Sequence, residues 1–265
     1  MTGTLRRLFR SRALVWVLAR RELKARYRGS ALGFLWSLVN PLLLLAIYSV
    51  VFTVVFAPRA GNVRPYALFL FGGVLAWNFV ASSLLDAAQT FKTNGPLLRK
   101  VIVAPEIFPG VSVLSQGFHF LLALPVLLAA TAASVIWFSG RFGWTAVQIV
   151  PVLLLLAAAV LGGALFVSAA SVHFQDLRDL LQSVLTFWFF ATPIIYPIDA
   201  IPARLRPWVR ANPATAFFTG VHDALFDDRW IGASDWAAMA AAAAAALAIG
   251  SLTFARLRES IAEES

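Results

Sequence analysis

The chain has 265 residues, 60% of them hydrophobic and only 13% charged, with a mean hydropathy of +0.78. Soluble domains are roughly a quarter charged, so this is an integral membrane protein with no room for a separate catalytic domain. Its net charge of +9 does not point to nucleic acid, because nine of the 22 Lys and Arg residues fall between Arg6 and Arg28, beside an apolar run. There they set orientation against anionic lipid, and the absence of cysteine excludes disulfides, thiolate metal sites and cysteine nucleophiles.

In chain order, residues 1–12 are polar and arginine-rich and read as a mobile tail or interfacial lead-in. Over 13–28 a helical projection places Trp16, Ala19, Leu23 and Tyr27 on one face and Arg20, Arg21, Lys24 and Arg28 on the adjoining arc. Such a helix lies in the membrane surface, because desolvating that many charges costs several kcal/mol each. The apolar run that follows exceeds a signal-peptide core and lacks a small-residue cleavage site, so it is expected to be retained. Gly29, Ser30 and Gly33 form a hinge into span one, Phe34 to Phe56, 23 residues without a formal charge and bent at Pro41.

Span two covers about 65–88, with Gly72, Gly73, Trp77 and Asp86 inside it. The polar return, 89–110, is predicted to turn at Asn94-Gly95-Pro96, form a short docking helix and stop at Pro105 and Pro109. Span three (about 111–138) carries Ser112, Ser115, Gln116 and His119. Span four (about 145–171) holds the Gly162-Gly163 pair, which permits close helix packing. Span five runs from about 181 to 197. The apolar run ATAFFTGVHDALF after it is too short to cross, so two short helices over about 198–226 are expected to dip into the outer leaflet. Span six, about 236–255, is dominated by alanine. Six spans put both termini on one side, and 15 positive residues there against 7 on the other agree with cytoplasmic termini. Residues 1–30 form the tail and interface helix, and 31–265 one transmembrane domain.

No G-x-x-x-x-G-K-[ST] loop occurs, so a motor would have to be another chain. His119, His173 and His222 have no metal-ligand spacing. Asp227-Asp228 read as a solvated loop, and Asp176 and Asp179 flank Arg178 as a local charge cluster.

The stretches RRELKARYRGSALGFLWSLVNPLL, NGPLLRKVIVAPEIFP, HFQDLRDLL and TPIIYPIDAIPARLRPWVRANPATAF resemble, in order and across most of the chain, the membrane subunit of polysaccharide-exporting ABC transporters of the ABC-2 type. The sequence departs from that pattern at His222-Asp223, where such proteins often carry an arginine. The resemblance implies a homodimer in the bacterial inner membrane, paired with two ATPase subunits that hold ATP and Mg²⁺. This chain itself would bind no cofactor, and the cargo would be a lipid-linked polysaccharide. It implies that residues 13–28 are an interface helix and that Asn94, Gly95, Leu97, Leu98, Arg99 and Lys100 receive the ATPase stroke. Pro197, Pro202, Pro207, Asn212 and Pro213 would belong to a pair of periplasmic gate helices.

Residue chemistry suits that role. Sugars stack on aromatic rings, and Trp36, Tyr48 and Phe52 on span one with Phe187, Phe190 and Tyr196 on span five are candidates to line a path; packed or lipid-facing rings are the alternative. Arg20, Arg21, Lys24, Arg26 and Arg28 are candidates for a lipid diphosphate, with plain headgroup anchoring as the alternative. The competing functions are ABC-2 export of a teichoic acid, capsule, drug or small lipid, a membrane-embedded transferase, and a passive channel.

Overall fold

The computed structural model describes residues 2–26, 29, 33–51, 66–100, 104–138, 143–174 and 176–264. The described chain is all-α. Its helices are α1 (Thr2–Arg10), α2 (Arg12–Arg26), α3 (Trp36–Val50), α4 (Tyr66–Lys100), α5 (Ile107–Phe138), α6 (Ile149–His173), α7 (Leu177–Ala191), α8 (Arg206–Ala211), α9 (Thr215–His222) and α10 (Ala233–Glu264). Short 3₁₀ turns lead into α3 and α6, and a π-turn, Asp223–Asp227, extends α9.

Four stretches among the described residues are long and apolar enough to cross a bilayer: Tyr66–Gly95, Ile107–Ser134, Trp144–His173 and Ala233–Arg258. The protein is therefore a multi-pass membrane protein. α3 and α7 are apolar but have 15 residues each, short of the ~20 a hydrocarbon core requires. The far part of the expected first span, 52–56 with Phe52, lies outside the described residues.

α4 is the hub. It packs on α3, α5, α6, α7 and α9, and 72% of its apolar window is buried inside the protein, against 28% for α5 and α10. Its partners can approach because Gly72 and Gly73 leave one face bare. A Cβ at Gly73 would overlap the Ile194 carbonyl, and one at Gly72 would stand 3.0 Å from the Phe226 ring. The tightest helix pair is α6 with α10: a Cβ at Gly162 would overlap the Ala246 backbone, and one at Gly250 would overlap the Gly162 carbonyl. The adjacent Gly163 meets Leu84 of α4 instead, so the glycine pair serves two neighbours. Small residues let backbones meet where lipid supplies no hydrophobic drive.

Three expectations about local structure are corrected. Residues 2–10 are helical rather than a loose tail: Leu5 packs against a buried cluster of Phe91, Phe108, Leu165 and Phe254, and Leu8 against Val15, Ile107 and Val111. Asn94-Gly95-Pro96 is not a turn, since α4 runs through it to Lys100. Proline removes one backbone donor, but its steric quarrel with the preceding residue is relieved when that residue has no Cβ, and the Asn94 Nδ2 donates to the Thr90 carbonyl at 2.9 Å. Finally, α7 stops at Ala191 instead of reaching 197, because Thr192 precedes a proline and takes an extended conformation (φ −110°, ψ 140°).

Candidate functional site

Two clusters of polar residues stand at opposite ends of the bundle. The first lies at the end that carries the termini, where α2 packs along α5. Val15 and Ala19 are the buried residues of α2 that meet the protein, so of the projected face Ala19 packs inward. Trp16 is half exposed and touches Phe118 with a ring edge, and Tyr27 lies outside the described residues. Arg20, Arg21 and Lys24 are exposed beside Trp16 and Val17, which mixes cations and rings as a headgroup surface requires.

Arg26 does something different: its guanidinium is 3.1 Å from the Asp86 carboxylate of α4, which also accepts from the Gln116 amide of α5. Glu22, one turn back, sits 4.0 Å from Arg26. Burial, then the neighbouring Asp86 charge, raises the Glu22 carboxyl above its usual range, with Arg26 pulling the other way. Arg26, its side chain 39% exposed, thus spends part of its guanidinium on the protein. Arg28 lies outside the described residues.

Closer to the termini a second ionic group forms. Glu106, in the turn before α5, is 0% exposed, accepts from Arg7 of α1 and stands 3.9 Å from Arg258 of α10. Of the residues assigned to the ATPase contact, Asn94 and Gly95 are half-buried on α4. Leu97, Leu98, Arg99 and Lys100 continue the same helix for its last turn.

At the far end the elbow before α9 is held by neutral groups. Asn212 joins the short helices to α7: its Oδ1 accepts from Trp188 Nε1 at 2.9 Å and from the Ala214 amide at 3.0 Å, while its Nδ2 donates to Thr192 Oγ1 at 2.9 Å and to the Ala191 carbonyl. All four hydrogen-bonding positions of that amide are used. Pro197 precedes a 3₁₀ turn and Pro202 lies in the turn before α8. Pro207 occupies the first turn of α8, where a missing N–H costs nothing, and Pro213 follows Asn212 in the elbow before α9. A cavity of about 640 Å³ opens between these parts, lined by Trp188, Phe190, Tyr196, Pro202, Trp208 and Asn212.

Phe187 is 75% exposed and Phe190 60% on α7, and the Tyr196 hydroxyl donates to the Phe190 carbonyl at 2.8 Å. Trp36 opens α3 and Tyr48 is half-buried near its end. α3 packs on α4 and α5, whereas α7 packs on α4 and α6. Among the described residues, Trp36 and Tyr48 on α3 and Phe187 and Phe190 on α7 are therefore carried by helices with different second neighbours.

Of the pair expected to be a solvated loop, Asp228 is exposed but tied down, and Asp227 ends the π-turn half-buried. Asp228, in a left-handed conformation (φ 50°), accepts from Thr145 Oγ1 at 2.6 Å. Gln148 grips the same strip, donating to the Arg229 carbonyl and accepting from the Ile231 amide. Burial, and then the charge of Asp227, push the Asp223 carboxyl up to about 6. His222 is buried with its ring stacked on Phe69 at 3.6 Å.

Sequence reasoning missed Glu106 and the pairing of Asp86 with Arg26 and Gln116. The signal for the second was present: a carboxylate and an amide at matching depth on consecutive apolar helices seldom stay unpaired.

A bundle of apolar helices, with an ionic junction at one end and short broken helices at the other, is the architecture of a permease. The sequence signature of ABC-2 type transporters covers residues 13–226, and the chain belongs to that family. The chain is 32% identical over 265 residues to the O-antigen export system permease protein RfbA of Myxococcus xanthus, covering 99% of each chain. It is 29% identical over 206 residues to a protein of the same name from Klebsiella pneumoniae, covering 76% of this chain and 75% of that one.

Proposed function

We propose that this chain is the membrane half of an ABC exporter that moves a lipid-linked, O-antigen-like polysaccharide across the bacterial inner membrane. The observation that carries the reading is the end-to-end similarity to an O-antigen permease. Two copies form the complex, and two ATPase subunits supply ATP and Mg²⁺. In this reading the second copy brings the rings of span one, Trp36, Tyr48 and Phe52, opposite Phe187, Phe190 and Tyr196; the different neighbours of α3 and α7 within one copy are compatible with it.

In this reading the chain crosses six times with both termini cytoplasmic, α3 and α7 completing their spans through adjoining residues. Residues 1–30 are the cytoplasmic interface region and 31–265 the transmembrane domain. The ATPase meets the end of α4, at Asn94, Gly95, Leu97, Leu98, Arg99 and Lys100. Arg20, Arg21 and Lys24, exposed on α2, receive the lipid diphosphate, and Arg28 is assigned to the same role. Arg26 orients α2 from within. The elbow built on Asn212 and on Pro197, Pro202, Pro207 and Pro213 carries the gate helices. Rings bind each sugar weakly enough for a polymer to pass.

Deleting the gene in its own host and measuring surface polysaccharide tests this. The expected result is loss of the surface polymer with lipid-linked glycan retained inside, restored by the wild-type chain. Unchanged surface polymer, with a drug or small lipid retained instead, would replace the cargo.

A further inference from the structure

Glu106 has a feature the transport reading does not require. Its side chain is fully buried, one oxygen accepts from Arg7, and the other, Oε2, makes no hydrogen bond among the described residues although Arg258 stands 3.9 Å away. A buried carboxylate with an idle oxygen is expensive and calls for a cause. Its location supplies one. Glu106 follows the segment that joins α4 to α5, and its two arginines come from the first helix and the last. α1 is seated firmly between them: Thr4 donates to the Ser251 carbonyl of α10, and a Cβ at Gly110 of α5 would stand 2.8 Å from Leu8.

We infer that Glu106 is the positioning residue through which movement of the α4–α5 connection reaches α1 and α10: it holds Arg7 with one oxygen and keeps the other for Arg258. A shift of the carboxylate by about an ångström would exchange the long ion pair with Arg258 for a hydrogen-bonded one, which gives the clasp two arrangements. Such a bistable contact passes a displacement on instead of absorbing it. The inference rests on the reading that the ATPase engages the end of α4.

The test uses the permease with its ATPase partner, scoring surface polysaccharide per permease in the native host and the ATPase rate of the purified complex. Glu106→Gln is expected to lower export per ATP about tenfold, with assembly and ATPase rate within about twofold of wild type, the size of a typical coupling term. Glu106→Asp, which keeps the charge, recovers most of the loss, and Arg258→Gln lowers the ratio about threefold. Normal export in Glu106→Gln, or export and ATPase falling by one common factor, would overturn the inference. Should Glu106→Gln fail to accumulate, Arg258→Gln decides, because its side chain is 43% exposed at a helix end; an unchanged ratio there refutes the clasp. A host whose surface polymer survives deletion of the whole permease would sink the export reading instead.

Discussion

The two ends of the bundle solve the same problem, fixing short elements to long helices, with opposite chemistry. At the terminal end the ties are ionic: Arg7 and Arg258 on Glu106, and Arg26 on Asp86. At the elbow of the far end they are neutral, with one asparagine amide, the Thr192 hydroxyl and an indole closing on one another. Charged ties are strong at short range yet depend on water, salt and small displacements. Neutral amide networks are weaker per bond, but they hold geometry in a dry environment. A motor-facing end benefits from contacts that can switch, and an exit-facing end from contacts that stay closed until pushed.

That contrast can be broken at either end. The largest effect is expected from Glu106→Leu, which strands two arginines beside a buried apolar group. A loss of about 3 kcal/mol follows, moderated because both guanidinium groups reach water, and is read as a lower unfolding temperature of the purified protein. Next is Asn212→Ala, which leaves the Trp188 indole and the Thr192 hydroxyl without partners. The cost is about 1–3 kcal/mol, and proteolysis should cut first between α7 and α9. Raising salt should soften the first end and leave the second unchanged, which thermal scans of the two variants at low and high ionic strength will separate.

Smaller still is the hinge before α3. Gly29 and Gly33 have φ of +82° and +50°, and among the described residues a Cβ on either meets nothing within 4 Å. Gly33→Leu therefore costs backbone strain alone, about 1–2 kcal/mol, and not the crowding that its place beside a span suggests. Export should fall more than stability. The smallest effect is pH-dependent. Because the Asp223 pKa is raised from 3.8 to about 6, the folded state binds its proton more tightly than the unfolded state. That contribution is present at low pH and is lost as pH rises through about 6. Asp223→Asn should accordingly stabilise the α9–α10 connection at pH 7 and flatten its profile between 4 and 7.

Much of this was legible in the residues. Apolar runs marked the crossings, the prolines after Ile195 marked the broken helices, and Gly162-Gly163 marked close packing, although only the structure divides that pair between α10 and α4. What escaped was of two kinds. Helix persistence through Asn94-Gly95-Pro96 rests on Gly95, which has no Cβ to clash with the proline ring, and on packing of the rest of α4, neither of which turn propensity reveals. Glu106, read as a loop residue between prolines, gains its meaning from Arg7 and Arg258, 99 and 152 positions away. The order of residues 2–10 likewise comes from rings on α4, α5 and α10, so the segment alone looks unstructured.

The absence of cysteine makes the central claim, motor at one end and exit at the other, directly measurable. Single cysteines at Thr93 on α4 and at Trp208 on α8, which is 78% exposed, are each reacted with a short bifunctional cross-linker in native membranes. The expected result is an adduct between the Thr93→Cys permease and an ATPase subunit, with none from Trp208→Cys. An ATPase adduct at Trp208, or at neither position with the complex intact, would contradict the account.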